Sequence, residues 1–589
     1  MSKKEWTIMI YMAGDNNLAV DMAYAMEQIK GVADETADSP NLFVYYDGNS
    51  PAIPTLYCDF SVPGKPRYVR SYKVPTKLYS VSPKHNENAA DMRSILNFID
   101  WCVNKVEVDN DGEITFGRKA QKYALIFSGH SLGFQNIGLF KDESSGKAMN
   151  MKDFYAVLLG VVNTRKETLK FAKEYNWDEE TTRIVTTELL GQKIDILGFD
   201  SCMMGMLEVG YQFSNIAKTM IASEGSVPSA GWTYAKILGC LAREQNRNID
   251  TRKVAEMFVR QFIQSQDAYT VGGISVDMAA WDLSRFDELA VAFNGLSEVL
   301  IECFKDPESR IYRQMERVIL HVHWRCQSYM YDQNVDLGDF CELLDRECGL
   351  VAEELGEGDD VKMLKGVQKA CGKVLKELNR AVILSGFSGG GYQYSNGVSV
   401  FFPWSREGYE VSRKNYESLW FTKEVDQKRL SWTGFLKKYL YEVTLRKFEP
   451  PPEIVVPAGE RYRYYSGVKF DERFAAMAAA GNGATKIAGQ EGTRIAGQEG
   501  TRIAGQEGTR IAGQEGTRIA GQEGTRIAGQ EGTRIAGQEG TRIAGQEGTR
   551  LAGGGGSGHF FDSLRLFKNI EGRWNISGLS KKPEEDSKY

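Results

Sequence analysis

Six short apolar runs constrain this chain more than any other feature. They are TIMIYMA at 7–13, NLFVYYDG at 41–48, YALIFSG at 123–129, IDILGFD at 194–200, TMIASEG at 219–225 and GVSVFFP at 397–403. Several are nearly unbroken by polar residues. A strand with one wet face alternates polar and apolar; a strand without alternation has to be covered on both faces, as in a parallel sheet between helices. Helical patterns lie between the runs, including ENAADMRSILNFIDWCVNKV (87–106) and TRKVAEMFVRQFIQS (251–265). Strands alternating with helices predict an α/β fold with a mostly parallel central sheet flanked by helices. Residues 1–445 are assigned to this body.

Composition removes several function classes. A net charge of −6 over 589 residues leaves no electrostatic footprint for nucleic acid. No stretch approaches the ~20 apolar residues of a membrane-spanning helix, so neither nucleic acid nor membrane is expected as a partner. The run WTIMIYMAG reads as a first strand rather than a signal peptide, which points to the cytoplasm. Nine cysteines at irregular spacing, with no CxxC, argue against a disulfide framework and suit a reducing compartment.

Two of the apolar runs end in reactive side chains. His130 follows YALIFSG, and Cys202 follows IDILGFD. Carboxyl ends of strands are where open α/β sheets build their sites. With 5 histidines in the chain, few groups are available as a base. A thiolate attacks carbonyls and forms readily beside an imidazole, which can later deliver the proton to a leaving amine. Backbone N–H groups of Ser131 and Cys202 are the candidate oxyanion hole. From spacing alone, Cys202 as a small buried hydrophobe and His130 as a satisfied polar residue stay open. His321, His323 and Cys326 lack a fourth ligand at a familiar spacing and read as a core or surface group rather than a metal site. FSGGGYQYSNG (387–397) is not a phosphate loop and reads as a loop before a strand, lining the substrate cleft.

The motifs IMIYMAGDNNL, IFSGHSLG, LGFDSCMMGMLEVGYQF, MIASEGSVPSAGWTY, VDLGDF and NGVSVFFP resemble, in this order, the clostripain (C11) family of cysteine peptidases. The resemblance covers roughly residues 5–445. It implies a caspase–haemoglobinase-like fold and a His130–Cys202 dyad. It also implies an acidic S1 residue at Asp200, selecting arginine or lysine at P1 of protein or peptide substrates. A carboxylate in a partly desolvated pocket suits a guanidinium; the alternative for Asp200 is a structural acceptor for loop amides. This chain departs from the family pattern in two places. Ser131-Leu132-Gly133 stands where Gly-Gly usually follows the histidine, and Ala230 offers no second charge in the PSAGW segment. Residues 166–193 read as an inserted helical element. The resemblance implies no required cofactor. Calcium, which some members need, would fall to Asp15, Asp142 and Glu143; no other metal is expected.

The triple proline of KFEPPPEIVV marks a border, and residues 446–480 are assigned to a C-terminal extension. In 481–558, IAGQEGTR recurs eight times without error from Ile487 to Arg550. The unit is glycine-rich and buries little, and eight residues is short for a solenoid coil, so a flexible tether is predicted. Its 64 residues would span roughly 45 Å as a random coil. Residues 559–589 alternate like a strand and are expected to pack on the body or pair near 460–470. An arginine-preferring peptidase carrying arginine every eighth residue predicts self-cleavage after Arg494, Arg502, Arg510, Arg518, Arg526, Arg534, Arg542 and Arg550. A further cut is predicted after Lys147 or Lys141, in the loop beyond the histidine. An upstream activating protease and a bacterial proteolytic cascade fit this picture. The alternatives are an inactive or weakly active scaffold whose repeat binds a partner, and a different cysteine hydrolase or acyltransferase.

Overall fold

The computed structural model describes most of residues 4–443, with 71–86 the longest stretch left out. Beyond 443 it describes the short strands of the repeat and two strands near the C-terminus. KFEPPPEIVV, the rest of 446–480 and residues 460–470 lie outside the described residues. The chain divides into two compact units, Met1–Tyr269 with Met278–Phe286, and Thr270–Asp277 with Asp287–Tyr589.

The first unit is built on a sheet in the order Val276–Asp282, Ala217–Ala222, Ile194–Asp200, Lys122–Ser128, Trp6–Gly14, Asn41–Gly48, Leu56–Asp59, Arg67–Arg70. The five strands from Ala217–Ala222 to Asn41–Gly48 are parallel, and antiparallel pairs extend the sheet at both ends. All nine residues of Trp6–Gly14 are buried, as the lack of alternation requires. The chain leaves this strand in one direction through helix Ala19–Glu35. It returns past it through helix Met92–Asn104. Right-handed crossovers put such helices on opposite faces of a sheet. Packing agrees: Ala19–Glu35 lies on Tyr234–Ala242, and Met92–Asn104 on Met151–Val162. The reversal makes the carboxyl ends of Trp6–Gly14 and Lys122–Ser128 the switch point of the sheet, where a crevice opens in such folds. Beneath it, Tyr11 stacks on Tyr45 with centroids 4.2 Å apart, and Phe98, Tyr57 and Trp101 close the cluster. Truncating one such ring to alanine typically costs ~3–5 kcal/mol.

Two of the six runs differ from the expected strands. TMIASEG yields a strand only to Ala222, because Ser223 and Gly225 turn back to accept N–H bonds from Gly205 and Met203. GVSVFFP keeps only Ser399–Phe401, and its antiparallel partner is Asn334–Asp336 in a small sheet of the second unit. The inserted element of 166–193 is two helices, Arg165–Glu174 and Glu179–Val185.

The second unit holds the antiparallel helix pair Leu337–Leu355 and Asp359–Ala381, which leads into strand Val382–Ser388. Leu566–Asn569 pairs antiparallel with that strand, and Trp574–Ile576 pairs with Leu566–Asn569. His323 is buried between the rings of Phe402 and Trp404, 3.8 Å from each. His321 faces Glu347 at 3.4 Å, and the sulfur of Cys326 donates to main-chain carbonyls. Each of the three has its own packed surroundings.

The repeat differs from a coil. Arg-Ile-Ala-Gly of each unit is a strand, and strands pair in parallel with the strand sixteen residues on, as in Arg494↔Arg510 and Ile495↔Ile511. The result is two sheets, of five and four strands, taken by alternate units. The pairing distance makes two units, not one, the step of the stack.

Candidate active site

Lys122–Ser128 and Ile194–Asp200 pair in parallel, with Ser128 opposite Asp200. The Gly129 N–H extends the ladder by one bond, 3.3 Å from the Asp200 carbonyl. His130 and Cys202 each stand two residues beyond this last pair. Strands sit ~4.8 Å apart, so equal overhang brings the two loops together. The Ser131 hydroxyl donates to the Cys202 carbonyl and ties them.

His130 is half-buried. Its Nε2 lies 2.7 Å from Oδ1 of Asn17, which follows the neighbouring strand Trp6–Gly14 across the switch point. An acceptor there fixes Nε2 as the N–H nitrogen and leaves Nδ1 to take a proton. Burial, with the Lys141 charge, holds His130 below the ordinary histidine range, and Glu143 opposes them. The ring is therefore neutral at neutral pH, the form a base needs. Asn17 was missed in the sequence, where AGDNN drew attention only for Asp15. The pair can be seen only once the first and histidine strands are neighbours.

Cys202 is half-buried, the one cysteine of nine that is not fully buried. The Val227 N–H donates to its sulfur at 3.3 Å. Met203 follows at φ 59, a left-handed turn that costs a non-glycine residue ~1–2 kcal/mol. Gly205 then runs so close to Ser223 and Glu224 that a Cβ would sit 2.6 Å from backbone atoms. The thiol thus tops a sharp turn pinned by loop 223–227.

Asp200 is 4% exposed. One oxygen, Oδ2, accepts from Tyr234 OH at 2.9 Å and Ser128 Oγ at 3.1 Å. Buried Oδ1 has no hydrogen-bond partner. Gly231, at φ 67, lies so near that a Cβ would come within 2.7 Å of Oδ2. Burial pushes the Asp200 carboxyl up to about 6, against the pull of donors from Tyr234, Trp232 and Ser128.

The cleavage candidates are less open than a flexible chain would be. Lys147 is exposed, but its N–H and carbonyl both bond Asp142 across a tight hairpin. Arg494, Arg502, Arg510, Arg518, Arg526, Arg534, Arg542 and Arg550 each open a paired strand. Of the cation candidates, Asp15 and Asp142 come together with Asp47, which was not foreseen. Glu143 lies apart on the surface, against Lys141 and Asn49.

A model of the clostripain family (peptidase C11) matches residues 163–438. The matched stretch holds Asp200 and Cys202; His130 precedes it. Clostripain of Hathewaya histolytica is 24% identical over 339 residues, covering 49% of this chain and 55% of that protein. The chain thus spans about half the length of that relative. An inactive zymogen C11 protease from Parabacteroides distasonis is similar at 17% identity and TM-score 0.43, over 72% of this chain and 99% of that one. A secreted C11 cysteine protease from Bacteroides thetaiotaomicron, in complex with an irreversible peptide inhibitor, is similar at 17% identity and TM-score 0.45, over the same shares of 72% and 99%. Among the described residues, no helix is long and apolar enough to cross a membrane.

Proposed function

We propose that this chain, whose residues 163–438 match the clostripain family, is a cysteine endopeptidase that cuts after arginine or lysine. One observation carries the reading: an imidazole and a thiol overhang the paired ends of adjacent strands by the same two residues. The Cys202 sulfur attacks the scissile carbonyl carbon while His130 Nδ1 takes the thiol proton. The oxyanion forms against the backbone N–H groups of Ser131 and Cys202. The C–N bond breaks, His130 protonates the departing amine, and a thioester remains. His130 then takes a proton from water, whose oxygen displaces the sulfur and releases the carboxylate product. Asp200 pairs with the P1 cation through Oδ1.

The enzyme cuts its own chain after Lys147 and within the arginine array. The doubly bonded Lys147 hairpin supports an upstream protease that makes the first cut in a cascade. Nine cysteines at irregular spacing, with no CxxC, support a reducing compartment such as the cytoplasm. Mass spectrometry of wild type beside Cys202→Ala, with reporter peptides carrying Arg, Lys or norleucine at P1, tests all of this. Fragments ending in arginine or lysine should appear in wild type alone. Activity should fall at least ~10⁴-fold in the variant. Equal fragments in both proteins, or equal cleavage of the norleucine peptide, would sink the reading.

A further inference from the structure

The two inserted helices, Arg165–Glu174 and Glu179–Val185, take no part in the chemistry above. They are rooted away from the cleft. The Leu190 N–H donates to the Val161 carbonyl at 2.9 Å, just before the amino end of the strand whose carboxyl end leads to Cys202. Their charges are sorted. Arg165, Lys166, Lys170 and Lys173 are exposed, and none of these side chains forms an ion pair among the described residues. At ~100° per residue, the four cations and Leu169 fall on one arc of about 140°. Leu169 sits between Arg165 and Lys173 on that arc and is 39% exposed. Thr168 and Ala172, on the other side, are buried.

The acids of the insertion are occupied elsewhere. Glu167 Oε2 accepts from the Thr164 N–H at 3.0 Å and from Thr164 Oγ1 at 2.7 Å, at the start of the first helix. Asp178 Oδ1 accepts from the Thr181 N–H at 2.6 Å and caps the second helix. Glu180 pairs with Arg93. Glu174 lies outside the arc. Helix stability does not account for the arrangement, because Lys166 and Lys170 at i,i+4, like Lys170 and Lys173 at i,i+3, repel. The same side chains, with Thr164, line an open groove of about 610 Å³. Its walls are mostly the aliphatic stems of arginine and lysine, with the charged heads left to water.

We propose that this groove is a docking site, separate from the catalytic cleft, for an acidic segment of a protein partner. The helix has 10 residues, a length of ~15 Å, so an extended segment lies along it for about four or five residues. Carboxylates of that segment meet the four cations, and one apolar side chain in its middle meets Leu169. A peptide suits the groove better than the other polyanions do. A nucleic acid backbone has no use for Leu169, and a net charge of −6 opposes a long anion that runs past the patch. A membrane-surface helix needs a wide apolar face, and here the inner face is packed on the body.

The test uses the full chain as Cys202→Ala, which cannot digest the probe, so the result does not depend on peptidase activity. The probe is a fluorescein-labelled Glu-Glu-Leu-Glu-Glu peptide, followed by anisotropy. Binding should saturate and weaken steeply from ~0.05 M to ~0.5 M salt. Arg165→Glu with Lys170→Glu should weaken it about tenfold or more, since attractions become repulsions. Lys365→Glu with Lys369→Glu, an equal reversal on the exposed side of helix Asp359–Ala381, should leave it unchanged. Leu169→Ser, or serine in place of the probe's leucine, should weaken it several-fold, which charge alone does not explain. All variants should melt with the parent, because every altered side chain is exposed. No saturable binding, equal loss in the two reversals, or indifference to Leu169 would overturn the proposal. So would tighter binding of a DNA oligonucleotide or of phosphatidylserine vesicles that the Arg165→Glu, Lys170→Glu reversal abolishes.

Discussion

The parallel sheet of the first unit and the two sheets of the repeat use the same hydrogen-bonding pattern with opposite sequence logic. Every strand of the first sheet is different. WTIMIYMAG and IDILGFD cannot exchange places, because each buries its own side chains against its own helices. Register is then strongly specified, and Ser128 stands opposite Asp200 and no other residue. In the repeat every strand but the first and last is the same four residues, so a slip by sixteen residues restores identical neighbours. A site that depends on two residues meeting therefore belongs in the first sheet. The array can present a residue many times, but no position in it is unique.

The largest effect should come from the uniqueness of the first sheet. Asp200→Asn should lower kcat/KM for an arginine peptide by about 10²–10³-fold, leaving a guanidinium unpaired, and barely change a norleucine peptide. The same variant should be more stable at pH 7. Asp200 titrates at about 6 in the fold against an ordinary 3.8. A raised carboxyl pKa favours the protonated fold, so its contribution to stability declines as pH rises from about 4 to above 6. Replacing the ion removes a penalty on the order of 2–3 kcal/mol, less any weakened hydrogen bonds. A melting curve checks this, and a lower Tm at pH 7 would make Asp200 a structural acceptor.

Next comes Asn17→Ala, which should lower kcat about tenfold with little change in KM. It removes the acceptor on His130 Nε2 but nothing that touches substrate. A change confined to KM would show that Asn17 does not position the base. The third effect is a pH profile. kcat/KM for an arginine peptide should climb through pH 6 as Asp200 ionises. Asp200→Asn should lose that limb, and an unchanged profile in the variant would assign it elsewhere.

The smallest effects concern the array. Three of its four edge strands begin with arginine, at Arg494, Arg542 and Arg550, and each has one neighbour among the described strands. Time-resolved mass spectrometry should find those bonds cut before Arg510 and Arg526 in the interior. Deleting sixteen residues should leave both sheets intact, whereas deleting eight moves Lys486–Gly489 or its successors onto the other sheet. Equal cutting at every arginine from the start would return the array to a random coil.

Much of the fold was legible from local pattern. NLFVYYDG and IDILGFD coincide with observed strands because a mostly apolar run of seven or eight residues has few other uses. GVSVFFP has the same pattern and mostly failed, since pattern cannot say which sheet takes a strand. His130 and Cys202 could be picked out as reactive types at strand ends. The partners Asn17 and Asp47 could not: Asn17 lies 113 residues from His130, and Asp47 meets Asp15 and Asp142 from a different strand. The repeat shows a related limit: its period of eight is visible, but pairing between strands sixteen residues apart is a property of the stack.

The chain by itself determined the kinds of element, the residue types available for chemistry, and the resemblance to a peptidase family. Those follow from short-range periodicity and from side-chain identity. Only the tertiary structure decided the order in which strands lie side by side. That order puts Asn17 against His130, levels Cys202 with it, buries Asp200 with one oxygen lacking a hydrogen-bond partner, and gathers three aspartates. The physical reason is that register across a sheet is set by collective burial, which no single stretch of the sequence contains.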